Sequence, residues 1–136
     1  MLELQQILNK TAASCVIRNQ GEIRIFQNRG IKDLYELYQT EPHFLKGADI
    51  ADKVVGKAAA SIMCLGGVAN LHTPVISHSA LDILKNRPIK VSYNQEVPYI
   101  INRQQNGWCP LEKATYHLTS LDDIWQTIDH FIKEHQ

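Results

Sequence analysis

The run Asp52-Lys53-Val54-Val55-Gly56-Lys57-Ala58-Ala59-Ala60 sets an aspartate and two lysines among residues that are otherwise Val, Ala and Gly. So apolar a run is read as buried, and a buried ammonium group is costly unless something meets it. Taken as a helix, the run puts Lys53 and Lys57 one turn apart on a shared face. Gly56 and Ala60 flank that face and let a ligand approach the backbone closely. This is the chemistry of a pocket floor for an anionic or carbonyl-bearing small molecule. Three later segments add reactive groups: Ser77, Arg103, and Cys109-Pro110-Leu111-Glu112.

Each of these residues has a structural role that competes with chemistry. Asp52 is a capping carboxylate that offsets the helix dipole, a general base, or a carboxylate that fixes Lys53. Lys53 either snorkels from a helix end or binds an anion, with a nucleophilic amine as its reactive form. Lys57 either meets a ligand or pairs with a core carboxylate such as Glu112. Ser77 is an N-cap or a hydroxyl offered to a ligand. Arg103, in a turn before Gly107, is plain exposed arginine or a bidentate clamp for a carboxylate or phosphate. Cys109 before Pro110 falls at a helix start, where thiolate is favoured, or it packs as a small hydrophobe. Glu112 in the first turn suits the dipole and is also placed for proton transfer. Trp108 is a stacking wall or a packed aromatic. His72 and His78 have no partner at metal-ligand spacing, so no metal site is assigned.

The elements that position these groups are read from periodicity. Leu4, Ile7 and Leu8 mark a short amphipathic helix. Cys15 to Arg18 and Glu22 to Phe26 form a hairpin around Asn19-Gln20-Gly21. A helix follows at Lys32 to Tyr38, and Thr40 to Gly47 is a connector. Asp49 with Asp52 three residues on fits a capping box, so the central helix is expected from Asp49 to Leu65, stopped by Gly66-Gly67. Val68 to Ile76 reads as a buried strand, Ala80 to Asn86 as a helix, and Ile89 to Tyr93 and Val97 to Ile101 as two more strands. Short and long helices at Cys109-Pro110 and Ser120 complete a single domain over residues 1–136. Strands interleaved with helices predict an α/β fold, a three-layer α/β/α sandwich on a mixed sheet.

Composition narrows the function classes. Lys plus Arg is 14 and Asp plus Glu is 14, giving a formal net charge of zero. That argues against a nucleic-acid binder working through a basic stripe. No apolar run is long enough for a membrane span, and the first ten residues lack the apolar core of a signal peptide. The three cysteines follow no metal or disulfide pattern, which fits reduced thiols in the cytoplasm.

The runs Ala51 to Ala60, Val75-Ile76-Ser77 with Ala80, Ile101-Asn102-Arg103 and Gly107 through Glu112 resemble the cytidine-deaminase-like fold. Within it they look like a small bacterial and archaeal family known only as a domain of unknown function. The likeness runs from Cys15 onward. Zinc deaminases place His-x-Glu at the start of their second helix and Pro-Cys-x-x-Cys at the start of the third. The corresponding positions here are read as Asp52-Lys53-Val54 and Ser77-His78-Ser79-Ala80. The resemblance therefore implies a zinc-free site, with no cofactor, where helix N-termini meet strand ends. On this reading Asp52, Lys53, Cys109 and Glu112 are candidate catalytic residues, and Lys57, Ser77 and Arg103 candidate ligand-binding residues. The expected ligand is a small molecule, by analogy a nucleotide or nucleoside. The competing expectation is a non-catalytic regulatory or structural module. Homo-oligomerisation is expected by analogy with the fold.

Overall fold

The computed structural model describes residues 1–28, 30–102 and 104–135. The elements run in the order α1 (Leu2–Lys10), β1 (Cys15–Asn19), β2 (Glu22–Phe26), α2 (Lys32–Thr40), α3 (Pro42–Leu45), β3 (Asp49–Asp52), β4 (Val54–Val55), α4 (Lys57–Gly66), β5 (Asn70–Ser77), α5 (His78–Leu84), β6 (Lys90–Val97), α6 (Pro110–Thr115) and α7 (Leu121–Glu134). The fold is mixed α/β, with one six-stranded mixed sheet and seven helices among the described residues. No helix among them is long and apolar enough to cross a membrane.

β1 and β2 form the expected hairpin. Gln20 and Gly21 both take positive φ, 50° and 83°, so the turn twists with its strands. β1 then pairs antiparallel with β3, while β3 and β4 both run parallel to β5, and β6 runs parallel along the other side of β5. The sheet thus reads β2, β1, β3 with β4, β5, β6 from edge to edge. α1 packs on one face through Leu4 and Leu8, against Val16 and Ala51. The main core lies on the other face, under α2 to α7, around Ile17, Ile50, Ile62, Met63, Ile124 and Ile128.

The central helix starts eight residues later than its capping-box pattern predicts, at Lys57 rather than Asp49. Asp49–Asp52 and Val54–Val55 are strands instead. Pairing between β1 and β5 decides this: a segment with extended neighbours on both sides satisfies its backbone in the sheet. β3 and β4 share one register with β5, Ala51 opposite His72 and Val54 opposite Val75. That register sets Lys53 opposite Pro74, which has no N–H to offer, and the strand breaks there. The break also resets the alternation of side chains, so Ile50 and Val55 both reach the main core. Lys53 and Lys57 consequently do not share a helical face.

Two further expectations change. The two strands predicted at Ile89–Tyr93 and Val97–Ile101 are one, β6, and Ile101 makes only an isolated bridge to Trp108. The connector after Thr40 holds the one-turn helix α3. The other caps behave as their residues suggest: the Ser77 hydroxyl accepts from the Ala80 N–H at 3.1 Å, and that of Ser120 from Asp123 at 3.3 Å.

α4 ends against Leu45. A Cβ built on Gly66 lies 2.9 Å from both Cβ and Cδ1 of Leu45. Helix propensity alone favours alanine over glycine by about 1 kcal/mol. The overlap reverses that sign, and Gly66→Ala is expected to destabilise the fold by about 1–3 kcal/mol in urea unfolding. A variant as stable as the parent would contradict this packing.

Candidate functional site

The start of α4 is where the sequence places its chemistry, and the chain itself occupies it. Gly56 is the N-cap and carries no side chain to meet the free N–H groups of the first turn. Glu112, in the first turn of α6, reaches across instead. Its Oε1 accepts from the Lys57 N–H at 3.0 Å, and its Oε2 accepts from the Ile100 N–H at 2.9 Å. The side chain is buried, at 2% exposure. A Cβ on Gly56 would lie 3.3 Å from Oε2 and 3.1 Å from Cγ1 of Ile100, so glycine makes room for the carboxylate.

The Lys57 side chain runs the opposite way. Its Nζ donates to the Tyr116 carbonyl at 2.9 Å and to the Leu118 carbonyl. These carbonyls lie just past the end of α6, where backbone acceptors lack helical partners and the dipole favours a cation. Burial lowers the lysine pKa, and the Glu112 charge opposes that shift. Lys57 and Glu112 therefore meet through the Lys57 backbone, and the side-chain ion pair weighed as the structural alternative is absent among the described residues.

Asp52 and Lys53 lie elsewhere. Asp52 ends β3 directly across from Cys15, whose side chain belongs to the main core. Burial pushes the Asp52 carboxyl up to about 7, against the opposing influence of the neighbouring Val54 and Lys53 backbone N–H groups. The Cys15 thiol is raised in turn, first by its own burial and then by the charges of Asp52 and Asp33. Lys53 sits exposed at the strand break, its N–H donating to the Ser14 carbonyl at 3.0 Å. Among the described residues no hydrogen bond or ion pair joins Asp52 or Lys53 to Lys57, Cys109 or Glu112.

Ser77 is fully buried at the end of β5, level with Gly56 in the sheet register, and caps α5. Cys109 precedes α6, half-buried against the core, with its N–H donating to the Ile100 carbonyl at 2.7 Å. The structure thus gathers Lys57, Ser77, Cys109 and Glu112 around the carboxyl ends of β4 and β5. Arg103 lies outside the described residues. Trp108 stacks on Tyr99 with ring centres 4.5 Å apart and meets Tyr116 edge-on at 4.8 Å.

Sequence reasoning missed the Tyr116 and Leu118 carbonyls and the Ile100 N–H, since main-chain partners leave no mark in residue type. It also missed the exposed trio in which His78 Nδ1 lies 2.8 Å from Glu96 and Nε2 lies 3.6 Å from Asp82. The helical spacing of His78 and Asp82 was the available signal. An open cleft of 460 Å³ beside this trio runs between α5 and β6, and another of 350 Å³ lies near Asp49, Asn70 and Lys90. Neither is lined by any of the described candidate residues. No three His, Cys, Asp or Glu side chains converge among the described residues.

Asp52 carries a testable pH dependence. Its folded pKa is raised above the unfolded value near 4, so between about pH 4 and 7 the folded state binds more protons at this site. Its contribution to stability is therefore lost as pH rises across that window. Asp52→Asn removes the group, and the stability of the variant relative to the parent is expected to rise across the window by up to about 4 kcal/mol. Urea unfolding at the two ends of the window reads it. A relative stability that stays flat would contradict a buried, proton-binding Asp52.

Comparison with known proteins agrees with this architecture. The family model for the TM1506 domain of unknown function, DUF1893, matches residues 3–132. A crystal structure of a DUF1893 family protein, TM1506 from Thermotoga maritima, is similar with a TM-score of 0.85 at 26% identity, covering 93% of this chain and 86% of that one. No curated protein matches the sequence. By a family match that spans nearly its whole length, the chain belongs to the DUF1893 family.

Proposed function

We propose that this domain is a non-catalytic regulatory or structural module of the cytidine-deaminase-like fold. The sheet order supports the fold reading: an antiparallel hairpin at one edge, then parallel strands, with α4 and α5 each following a parallel strand. With α4 starting at Lys57, the position of the deaminase second-helix motif reads Gly56-Lys57-Ala58 rather than Asp52-Lys53-Val54. The third-helix position keeps Ser77-His78-Ser79-Ala80. Three unpaired thiols fit a reducing compartment such as the cytoplasm.

One observation carries the functional reading. A helix N-terminus at a strand end is a ready anion site. Here Glu112 supplies that anion from within the chain, bonded to the N–H groups of Lys57 and Ile100. A carboxylate whose two oxygens both accept from backbone N–H groups is held by the chain rather than offered to a ligand.

A second reading keeps a zinc-free small-molecule site, with a nucleotide or nucleoside as ligand and Asp52, Lys53, Cys109 and Arg103 contributing. Its support is the Asp52 carboxyl near 7, a value suited to proton transfer at neutral pH.

Thermal-shift screening separates the two. Glu112→Ala is expected to cost about 2–4 kcal/mol by stranding two buried donors. Nucleotides, nucleosides and small organic acids are expected to leave the melting temperature of the parent unchanged. A compound that stabilises the parent, and loses its effect in Lys57→Ala, would overturn the non-catalytic reading.

A further inference from the structure

The cleft between α5 and β6 carries opposite charges at its two ends and an apolar wall. Its volume, 460 Å³, is that of a small-molecule site. α5 links the parallel strands β5 and β6 and runs back against both, so its start lies beside the end of β6. His78, Asp82 and Glu96 therefore gather at one end, and Lys85 and Arg87 at the other. Leu81 and Val91, both half-buried against the main core, supply the apolar wall.

The pairing of β5 with β6 shapes this cleft. It skips Pro74 and Asn94, with Thr73 opposite Tyr93 and Val75 opposite Gln95. Proline has no N–H to offer a neighbouring strand. The alternation resets there, and Leu71 and Ile76 both reach the main core. In an unbroken strand Val91 and Glu96 would face opposite ways. Across the break they line one cleft, which brings a carboxylate to its apolar side.

Both ends are held in place and keep unused bonding capacity. His78 Nδ1 lies 2.8 Å from Glu96 Oε2, and its Nε2 lies 3.6 Å from Asp82 Oδ2. The second oxygen of each carboxylate has no protein donor among the described residues. Two carboxylates meet one imidazole, so this end stays negative even when His78 is protonated. The carboxylates sit off opposite ring nitrogens, and the three groups do not converge on one metal ion. At the other end the Arg87 Nε donates to the Ile83 carbonyl at 2.7 Å, and its two Nη groups have no protein acceptor among the described residues. Lys85 forms no ion pair among them.

We propose that this cleft binds a short linear zwitterion, with its ammonium end on Asp82 and Glu96 and its carboxylate end on Arg87 and Lys85. A guanidinium presents a planar fork that fits a carboxylate, and an ammonium group donates to the spare carboxylate oxygens. At about 1.5 Å per residue, His78 and Lys85 lie about 10 Å apart along α5. Three extended residues span about the same length, so a tripeptide with free ends reaches both charges. Its apolar side chains then rest on Leu81 and Val91. The cleft shares no residue with the mouth of α4, so binding here is independent of how that mouth is filled.

Trialanine with free ends, titrated into isotope-labelled protein and followed by NMR, tests this. Saturable shifts are expected at the amides of Leu81, Arg87, Val91 and Glu96. Acetylating the peptide's amine or amidating its carboxylate is each expected to weaken binding about tenfold. Glu96→Gln and Arg87→Gln are expected to do the same to the free peptide. The acetylated peptide is expected to ignore Glu96→Gln, and the amidated one Arg87→Gln, because each has already lost that contact. Circular dichroism checks that these surface variants fold as the parent does. No shift at tens of millimolar, capped peptides that bind as well as the free one, or shifts centred on the Lys57 amide would each overturn the proposal. So would the opposite pattern of sensitivities, which would reverse the ligand in the cleft.

Discussion

A helix that begins behind a glycine has several N–H groups with no helical partner and no side chain of its own to receive them. In this protein that debt falls on α4, the most enclosed helix, buried from Lys57 through Met63. The Glu112 carboxylate settles it from α6, fifty-five residues along the chain, and holds the Ile100 N–H with its second oxygen. The exchange is reciprocal. α4 receives a carboxylate at its positive end, and its first side chain delivers an ammonium group to the carbonyls beyond the end of α6. Each charge is buried or half-buried, and each meets hydrogen-bonding groups rather than hydrocarbon, which is the condition for tolerating it.

Much of the rest follows from that junction. The described residues between Ile100 and Leu118 carry one helix, α6, and are tied to α4 at both ends of the exchange. α7 then packs its stripe of Ile124 and Ile128 onto the same core, and Trp125 stacks on Tyr35 and meets Tyr38 edge-on. The Tyr35 hydroxyl also donates to Asp129, which joins α2 to α7 across the outer layer. The functional consequence is that the mouth of α4 is filled by the chain's own acid.

The sequence made the hairpin, the α4 C-terminus, α5 and α7 legible because each carries its own local signal: Gln20-Gly21, Gly66-Gly67, Ser77 and Ser120 with a following apolar stripe. It misplaced the start of α4 because Asp49 and Asp52 mimic a capping box, while Ala and Val suit a helix or a doubly buried strand equally. What decided the matter was pairing with β1 and β5, and the chemical reason for the break lay at Pro74, twenty-one residues away. Of the site, the pairing of Lys57 with Glu112 was readable as a buried charge needing a partner. The direction of each bond was not, because the partners are main-chain atoms of Ile100, Tyr116 and Leu118.

Native-state hydrogen exchange at the Lys57 and Ile100 amides tests the central claim most directly. If Glu112 closes the mouth of α4, both amides exchange as slowly as the core of that helix in the parent protein. In Glu112→Ala both then lose protection, while amides in β1 such as Ile17 keep theirs. Exchange of the two amides at loop rates in the parent, or protection unchanged by the substitution, would contradict the account.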